Sequence, residues 1–165
     1  MSTHTAPRPA PARPTVALIG AGAVGLVMAG ALARAGWEVR VCGARAPFAR
    51  LDVTEGTDTT ACAVTHAHTV ADVGACTLAI VAVKAHQTAD VAGWIAAFNQ
   101  PGRRILVAQN GLEHRARIAA YAPEASAVPA IVYFNAERLA PGHTVLRRIG
   151  AVDICLPAQV DVQDV

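Results

Sequence analysis

A cluster of three glycines near the start of the chain constrains its fold more than any other feature. Residues 16–25 read VALIGAGAVG, with the glycines between a short apolar run and an alanine-rich stretch. Residues 15–19 predict a buried strand, and residues 24–35 predict a helix that stops at Gly36. A second strand is predicted at 37–42, so the order at this point is strand, helix, strand.

The rest of the sequence continues to alternate strands with helices. Further strands are predicted near residues 61–65, 77–83, 104–108, 127–134, 144–149 and 152–156, and helices near 47–51, at 88–98 and from residue 112. This alternation predicts an α/β fold with a Rossmann-type, doubly wound and mostly parallel sheet, and the chain length suits a single domain. We assign that domain to residues 15–157, with a disordered Pro/Ala-rich leader at 1–14 and a tail or truncated linker at 158–165.

Composition argues against two classes of partner. The net charge is only +2, and no basic run is interleaved with aromatic residues, so nucleic-acid binding has little support. The most apolar stretch, residues 16–36, is interrupted by five glycines and is not typical of a membrane span. We therefore expect neither nucleic acid nor membrane as a partner.

The cysteines and a pair of histidines are interpreted as structural residues. The cysteines are Cys42, Cys62, Cys76 and Cys155. They lie far apart without a CxxC pair, which favours buried thiols in a reducing cytoplasm. His66 and His68 could begin a metal site, but no third ligand is evident nearby, and alternating outward residues on a strand explain the spacing better. We predict no metal.

Each glycine of the cluster has its own physical role in a dinucleotide-binding turn. The first permits the tight turn, the second lets the backbone approach a pyrophosphate, and the third lets the helix pack close to the strand. The N–H groups at the start of the helix then face the phosphates. A tight turn without a ligand is the alternative. The predicted cofactor-binding residues here are Gly20, Ala21, Gly22, Ala23, Val24 and Gly25.

The end of the second predicted strand indicates which dinucleotide would bind. An acidic residue for the ribose hydroxyls of NAD is expected there, but residues 42–45 read CGAR, and Glu38 comes too early. An arginine just past the strand favours the 2′-phosphate of NADP(H). Arg45 is the candidate and Arg50 the reserve, with a solvent-exposed loop arginine as the alternative.

Two further strand ends carry polar side chains. Lys84 follows the predicted strand at 77–83, and Asn110 follows the strand at 104–108. In a doubly wound sheet, ligands bind beyond the carboxyl ends of the strands. Either residue alone could be a solvated lysine or an Asn-Gly turn, but the coincidence favours a shared site.

These motifs together resemble the N-terminal half of the ketopantoate reductases (2-dehydropantoate 2-reductases). GAGAVG follows the first strand, VKAHQT a middle strand and QNG the next one. Residues 128–148 resemble the family segment in which two strands close the nucleotide domain. The resemblance extends over residues 16–157.

The resemblance implies NADPH-dependent reduction of a 2-oxo acid, ketopantoate to pantoate, on the route to pantothenate and coenzyme A. It implies that the glycines hold the pyrophosphate and that the arginine after the second strand holds the 2′-phosphate. Lys84 would lie near the reactive end of the cofactor, and Asn110 near the nicotinamide ribose and substrate. The arginine match is displaced by one position, because Ala44 falls where a simple alignment would put it.

The sequence departs from the family at its end. Family members continue into a helical domain that supplies the catalytic lysine as proton donor, whereas this sequence stops at Val165 and has Lys84 as its only lysine. We therefore expect a cofactor-binding part with an exposed apolar face that recruits a partner or self-associates. A non-catalytic NADP-binding module is the main alternative, and a 6-phosphogluconate or 3-hydroxyacid dehydrogenase relative is a third hypothesis.

Overall fold

The computed structural model describes residues 13–157. The strands are β1 (Thr15–Ile19), β2 (Glu38–Cys42), β3 (Arg50–Glu55), β4 (Asp58–Ala63), β5 (Thr65–Ala67), β6 (Leu78–Val81), β7 (Arg104–Val107), β8 (Ser126–Pro129), β9 (Ile131–Val132), β10 (Phe134–Ala140), β11 (His143–Arg148) and β12 (Ile154–Cys155). The α-helices are α1 (Ala23–Arg34), α2 (Ala92–Ala96) and α3 (His114–Ala119). Most of the predicted leader and all of the predicted tail lie outside the described residues.

Six strands form one parallel sheet in the order β5-β2-β1-β6-β7-β8. The central strands β1 and β6 are buried at every position. Strands covered on both faces are continuous apolar runs, which is why this part of the sheet is readable from the sequence. The order reverses between β1 and β6, and the predicted Rossmann-type α/β fold is confirmed.

A second sheet, which is not predicted from the sequence, has the strand order β10-β11-β3-β4. It is made of two antiparallel hairpins, β3–β4 and β10–β11, joined by parallel pairing of β3 with β11. β9 and β12 form a separate, small antiparallel pair. The second sheet therefore unites segments that are far apart in the sequence.

Helix α1 lies between the two sheets, which explains why it is apolar on all sides. Every residue from Gly25 to Gly30 is buried. A Cβ atom at Gly25 would lie 3.0 Å from a side-chain carbon of Leu18 in the first sheet, and one at Gly30 would lie 2.6 Å from a methyl of Val53 in the second. The small residues of this helix thus allow close packing on both sides.

The predicted helix at 47–51 is wrong. The chain is irregular before Arg50, where β3 begins, and Leu51 and Val53 are buried with a less buried residue between them. That two-residue period is the signature of a strand with one face against a core. Packing against α1 decides the conformation here.

Other predicted boundaries shift. The predicted helix at 88–98 is a 3₁₀ turn followed by the short α2, and α3 begins at His114. The predicted strand at 61–65 spans the end of β4 and the start of β5, and the one at 127–134 is divided among β8, β9 and the start of β10. These breaks follow from strands that change sheets.

The prediction of four buried thiols is half correct. Cys42 and Cys76 are buried, but Cys62 is half-buried and Cys155 is exposed, and all four are free. Cys155 is exposed because β12 belongs to the small two-stranded sheet at the surface.

His66 does not point outward as predicted. It is half-buried on β5, and its Nε2 lies 2.7 Å from the carbonyl oxygen of Phe48, whereas His68 is exposed. Within residues 13–157, no three His, Cys, Asp or Glu side chains group together as metal ligands. Across the same residues, each helix is too short or too polar to span a membrane.

Candidate functional site

A cavity of about 510 Å³ opens at the carboxyl ends of β1, β2 and β6, where the strand order reverses. Ligands of doubly wound sheets bind at this point. The walls come from the glycine turn, the loop after β2, the segment after β6, the start of α2 and the β10–β11 hairpin. The lining residues are Gly20, Ala21, Gly22, Cys42, Gly43, Ala44, Arg45, Ala46, Phe48, Ala82, Val83, Lys84, Gln87, Asp90, Val91, Trp94, Arg138 and Pro141.

Two glycines of the turn are required by the packing of the protein itself. Gly20 has a φ of +110°, and a Cβ there would lie 2.7 Å from the backbone nitrogen of Val83. A Cβ at Gly25 would lie 2.3 Å from the carbonyl oxygen of Gly20. Neither position accepts a side chain without movement of the backbone.

Gly22 is different, because no neighbouring atom excludes a side chain. A Cβ there would meet only the carbonyl oxygen of Ala82, at 4.0 Å, and its φ of −82° suits any residue. Gly22 is the N-cap of α1, makes no side-chain cap, and is followed by a first turn with no acidic residue. The start of α1 therefore presents N–H groups and a positive dipole end, which can hold an anion.

The rest of the predicted turn is divided between the cavity wall and the helix. Ala21 lines the cavity, whereas Ala23, Val24 and Gly25 form the first turn of α1 and do not line it. Their contribution to a ligand would come from backbone N–H groups. Their roles as cofactor-binding residues remain predictions.

The loop after β2 carries Arg45 into the cavity wall. The loop is held at Phe48, whose backbone nitrogen and oxygen lie 3.1 and 2.7 Å from Nε2 of His66 and whose ring meets the imidazole edge to face. The reserve residue Arg50 does not line the cavity, and its Nη2 donates to Oδ2 of Asp52 at 2.9 Å. Of the two arginines, the structure brings only Arg45 to the site.

Lys84 lines the cavity, but Asn110 does not. Asn110 is exposed in the loop after β7. The preceding residue, Gln109, is buried, and its Nε2 donates to the carbonyl oxygen of Val83 at 3.0 Å and to Oγ1 of Thr88 at 2.9 Å. Gln109 therefore fixes the segment that carries Lys84.

Several residues that line or support this cavity are not among those predicted from the sequence. Trp94 on α2, Asp90 before it and Arg138 on β10 are all in the wall, and Gln109 supports it. The Pro-Gly dipeptide at 141–142 is a turn signal that could have revealed the β10–β11 hairpin and hence Arg138. No comparable signal marks Trp94.

Cys42 lies in the cavity wall but is chemically quiet. Burial, with a smaller contribution from the neighbouring Cys76, raises its pKa to about 12. Burial also raises the pKa of the Cys76 thiol. The thiolate form needed for nucleophilic chemistry is therefore scarce at neutral pH. The charged side chains of the cavity wall are Arg45, Lys84, Asp90 and Arg138.

Comparison with known proteins agrees with this architecture. Residues 16–157 match the model of the family described as ketopantoate reductase PanE/ApbA. The chain is 33% identical over 143 residues to a 2-dehydropantoate 2-reductase of Caulobacter vibrioides, covering 85% of this chain and 48% of that protein. It is 31% identical over 134 residues to one of Mycobacterium tuberculosis, covering 80% and 45%.

A solved structure is similar over the same region. The PanE/ApbA family ketopantoate reductase of Ralstonia eutropha JMP134 is 28% identical with a TM-score of 0.72, covering 86% of this chain and 48% of that one. The chain thus spans about half the length of the relatives it matches. The family match shows that this chain belongs to the ketopantoate reductase family, and the strand order and the glycine turn, at the point where that order reverses, agree with it.

Proposed function

We propose that this chain binds NADP(H) and forms the cofactor-binding part of a reductase that converts 2-dehydropantoate (ketopantoate) to pantoate in pantothenate biosynthesis. Membership of the family supports the reaction, and the cavity at the strand ends supports the cofactor. When bound, NADPH supplies the hydride for such a reduction. The substrate is then a small 2-oxo acid.

The observation that carries the proposal is the open space at Gly22. The packing of the protein explains Gly20 and Gly25, but nothing within the described residues needs a glycine at 22. A ligand that approaches the N-terminus of α1 would need that space for its phosphates. The residues of the turn therefore fit a dinucleotide pyrophosphate.

The remaining roles follow from charge and location. Arg45 would bind the 2′-phosphate, and its guanidinium has no hydrogen-bond or ion-pair partner within residues 13–157 that it would have to leave. Lys84 would bring a positive charge to the reactive end of the cofactor and to the substrate carboxylate. Asn110 would reach the nicotinamide ribose and substrate from outside the cavity wall, where its loop is exposed.

A non-catalytic NADP-binding module is the second candidate. Reduction of a ketone requires a proton donor as well as a hydride, and a chain can bind the cofactor without supplying that donor. The two candidates differ in turnover but not in cofactor binding.

Cofactor binding can be measured through the tryptophans. Trp94 lines the cavity, whereas Trp37 packs against the core. Bound NADPH should therefore quench the fluorescence of Trp94 by energy transfer from its indole to the nicotinamide. We expect saturable binding that is at least about tenfold tighter for NADPH than for NADH, because the 2′-phosphate forms charge-assisted bonds. A Trp37→Phe variant should keep the signal and a Trp94→Phe variant should lose it. Absent or equal binding of the two nucleotides would contradict the proposal.

The Gly22→Ser variant tests the turn without unfolding it. Serine is a favoured N-cap residue in this extended conformation, and its hydroxyl would accept an N–H of the first turn. We expect unchanged or slightly higher thermal stability together with at least about tenfold weaker NADPH binding. Undiminished binding would show that the space at Gly22 serves no ligand.

Turnover separates the two candidates. NADPH oxidation is followed at 340 nm with 2-dehydropantoate, for this chain alone and for this chain mixed with the C-terminal half of the Caulobacter relative. The reductase proposal expects turnover in the mixture that Lys84→Met reduces without removing NADPH binding. Binding without turnover in either sample would favour the module.

An apolar patch near the end of the described chain supports the proposed partner surface. It surrounds a second cavity of about 530 Å³ whose lining includes Tyr133, Ile149 and Val152, the last two 70% and 51% exposed. Patches of this kind recruit a partner or self-associate, which light scattering can measure. The four free cysteines support a cytoplasmic location as part of the same proposal.

A further inference from the structure

Arg138 approaches the glycine turn from the second sheet. It lies on β10, outside the parallel sheet, yet it lines the same cavity as Arg45 and Lys84. Its Nη1 donates a hydrogen bond to the carbonyl oxygen of Ala21 at 3.3 Å. A cation of the second sheet is therefore held directly at the predicted pyrophosphate site.

The position of Arg138 is fixed by its partner across the hairpin. Arg138 pairs with Thr144 of β11, and side chains directly opposite in an antiparallel pair lie on the same face. Thr144 is fully buried, and its hydroxyl lies 3.4 Å from the carbonyl oxygen of Ala23 and 3.1 Å from that of Glu137. This one cross-strand pair therefore contacts the turn on both sides of the N-cap.

The backbone of β10 is also irregular at this point. The register shifts between Arg138 and Ala140, and bulges of this kind redirect side chains near binding sites. The shift occurs just before the turn at Pro141, which itself lines the cavity. The hairpin end is thus shaped toward the site.

Arg138 differs in its charge environment from the other arginines of the hairpin. Arg147 pairs with Glu137 at 3.2 Å, and Arg148 pairs with Glu55 at 2.6 Å. Among residues 13–157, Arg138 has no carboxylate partner and makes only the one long bond to a carbonyl. Most of its N–H donors remain available for a planar, bidentate acceptor such as a phosphate.

We propose that Arg138 is a phosphate ligand of the dinucleotide, contributed by the second sheet and directed at the pyrophosphate. The inference rests on the proposed NADP(H) binding and extends it, since the phosphates would then lie between the start of α1 and the guanidinium of Arg138. The two arginines of the cavity have different tasks. Arg45 binds the 2′-phosphate, which only NADPH carries, and Arg138 binds the pyrophosphate, which NADPH and NADH share.

The two arginines should therefore differ in their effects on NADPH and NADH binding, and this difference can be measured. Dissociation constants for NADPH and NADH are measured by Trp94 fluorescence for the wild type and for Arg138→Met, Arg45→Met and Arg147→Met. We expect Arg138→Met to weaken both nucleotides about tenfold, because a charge-assisted pair to phosphate is lost. Arg45→Met should weaken NADPH alone, and Arg147→Met, the control on the same hairpin, should change neither.

Thermal melting separates a ligand from a residue that only supports the turn. Arg138→Met should melt at the wild-type temperature without nucleotide and gain less stability from NADPH, as weaker binding requires. If Arg138→Met does not fold, Arg138→Lys, which keeps the charge but not the planar fork, carries the same expectation.

Three results would overturn the proposal. Wild-type affinities in Arg138→Met would show that the residue is not a ligand, and weaker NADPH binding alone would assign it to the 2′-phosphate. A lower melting temperature in the free variant with an unchanged increment from NADPH would reduce its role to holding the turn. Failure of the wild type to bind either nucleotide would instead refute the proposed function, and the inference with it.

Discussion

The two sheets of this protein are encoded in different ways. The parallel sheet is built from apolar runs such as β1 and β6, which are buried at every residue and pair with each other. The second sheet is built from strands of six or seven residues in which buried positions alternate with more exposed ones, as in β3 and β11. Its central pairing joins β3 to β11 across most of the described chain. The first carries the glycine turn, and the second closes the cavity around it. A binding site can thus depend on a layer that local sequence patterns do not reveal.

The largest effect should come from placing a methyl group on each side of α1. In Gly25→Ala the new Cβ would lie 2.3 Å from a backbone oxygen, whereas in Gly30→Ala it would lie 2.6 Å from a methyl of Val53, which can move. We expect a loss of about 2–4 kcal/mol in the free energy of unfolding for Gly25→Ala. Gly30→Ala should lose about 1 kcal/mol, since alanine's higher helix propensity offsets part of the clash. Urea denaturation measures both losses. Equal losses would contradict the expectation that the backbone at Gly25 cannot move whereas the Val53 side chain at Gly30 can.

The next effect concerns the turn that joins β10 to β11. Gly142 has a φ of +76°, and a Cβ there would lie 2.6 Å from the carbonyl oxygen of Arg50 and from the ring of Phe48. Gly142→Ala should lose about 2–3 kcal/mol and weaken NADPH binding, because Phe48 holds the loop of Arg45. Gly56→Ala is the control, with a φ of +60° but open space. It should lose only about 1 kcal/mol and bind normally.

A smaller effect should follow from removing one hydroxyl between the sheets. Thr144→Val keeps the shape of the buried side chain but removes its bonds to the carbonyl oxygens of Ala23 and Glu137. We expect a loss of about 1 kcal/mol in unfolding free energy. Thr65→Val, whose side chain is exposed and whose hydroxyl makes one bond of 3.4 Å, should change stability by less than about 0.5 kcal/mol. The tie between Thr144 and α1 would be refuted if the two variants were equally stable.

The smallest effect at neutral pH concerns thiol ionisation. Cys42 keeps its proton up to a pKa of about 12, against an ordinary value of 9.0, so its thiolate fraction is about a thousandfold lower. At pH 8, iodoacetamide should modify exposed Cys155 long before Cys42, as peptide mapping would show. Rapid labelling of Cys42 in the folded chain would contradict its burial.

The same pKa predicts how stability responds to alkaline pH. Below pH 9 the thiol is protonated in both the folded and unfolded states, so stability is unaffected. Between pH 9 and 12 only the unfolded chain loses the proton, and the free energy of unfolding should fall. Denaturation of Cys42→Ala should show a shallower decline over this range than the wild type.

How far the sequence predicts this protein depends on where the deciding interactions lie. The glycine turn, β1, β6 and the locations of Arg45 and Lys84 follow from local patterns, because strand burial and turn geometry are set by neighbouring residues. The helix predicted at 47–51 fails because Leu51 and Val53 are held by α1 and β11, which lie elsewhere in the chain. Arg138 is missed for the same reason, since only the pairing of distant strands brings β10 to the turn.

The parallel pairing of β3 with β11 also determines the order in which parts of the cavity can form during synthesis. The ribosome delivers the glycine turn, Arg45 and Lys84 early, but Arg138 and Pro141 emerge only near the end of the described chain. Until β11 leaves the exit tunnel, β3 has no partner on that side and the cavity lacks one wall. The segments made first therefore wait longest for the rest of the cavity wall, which is complete only after the second sheet has closed.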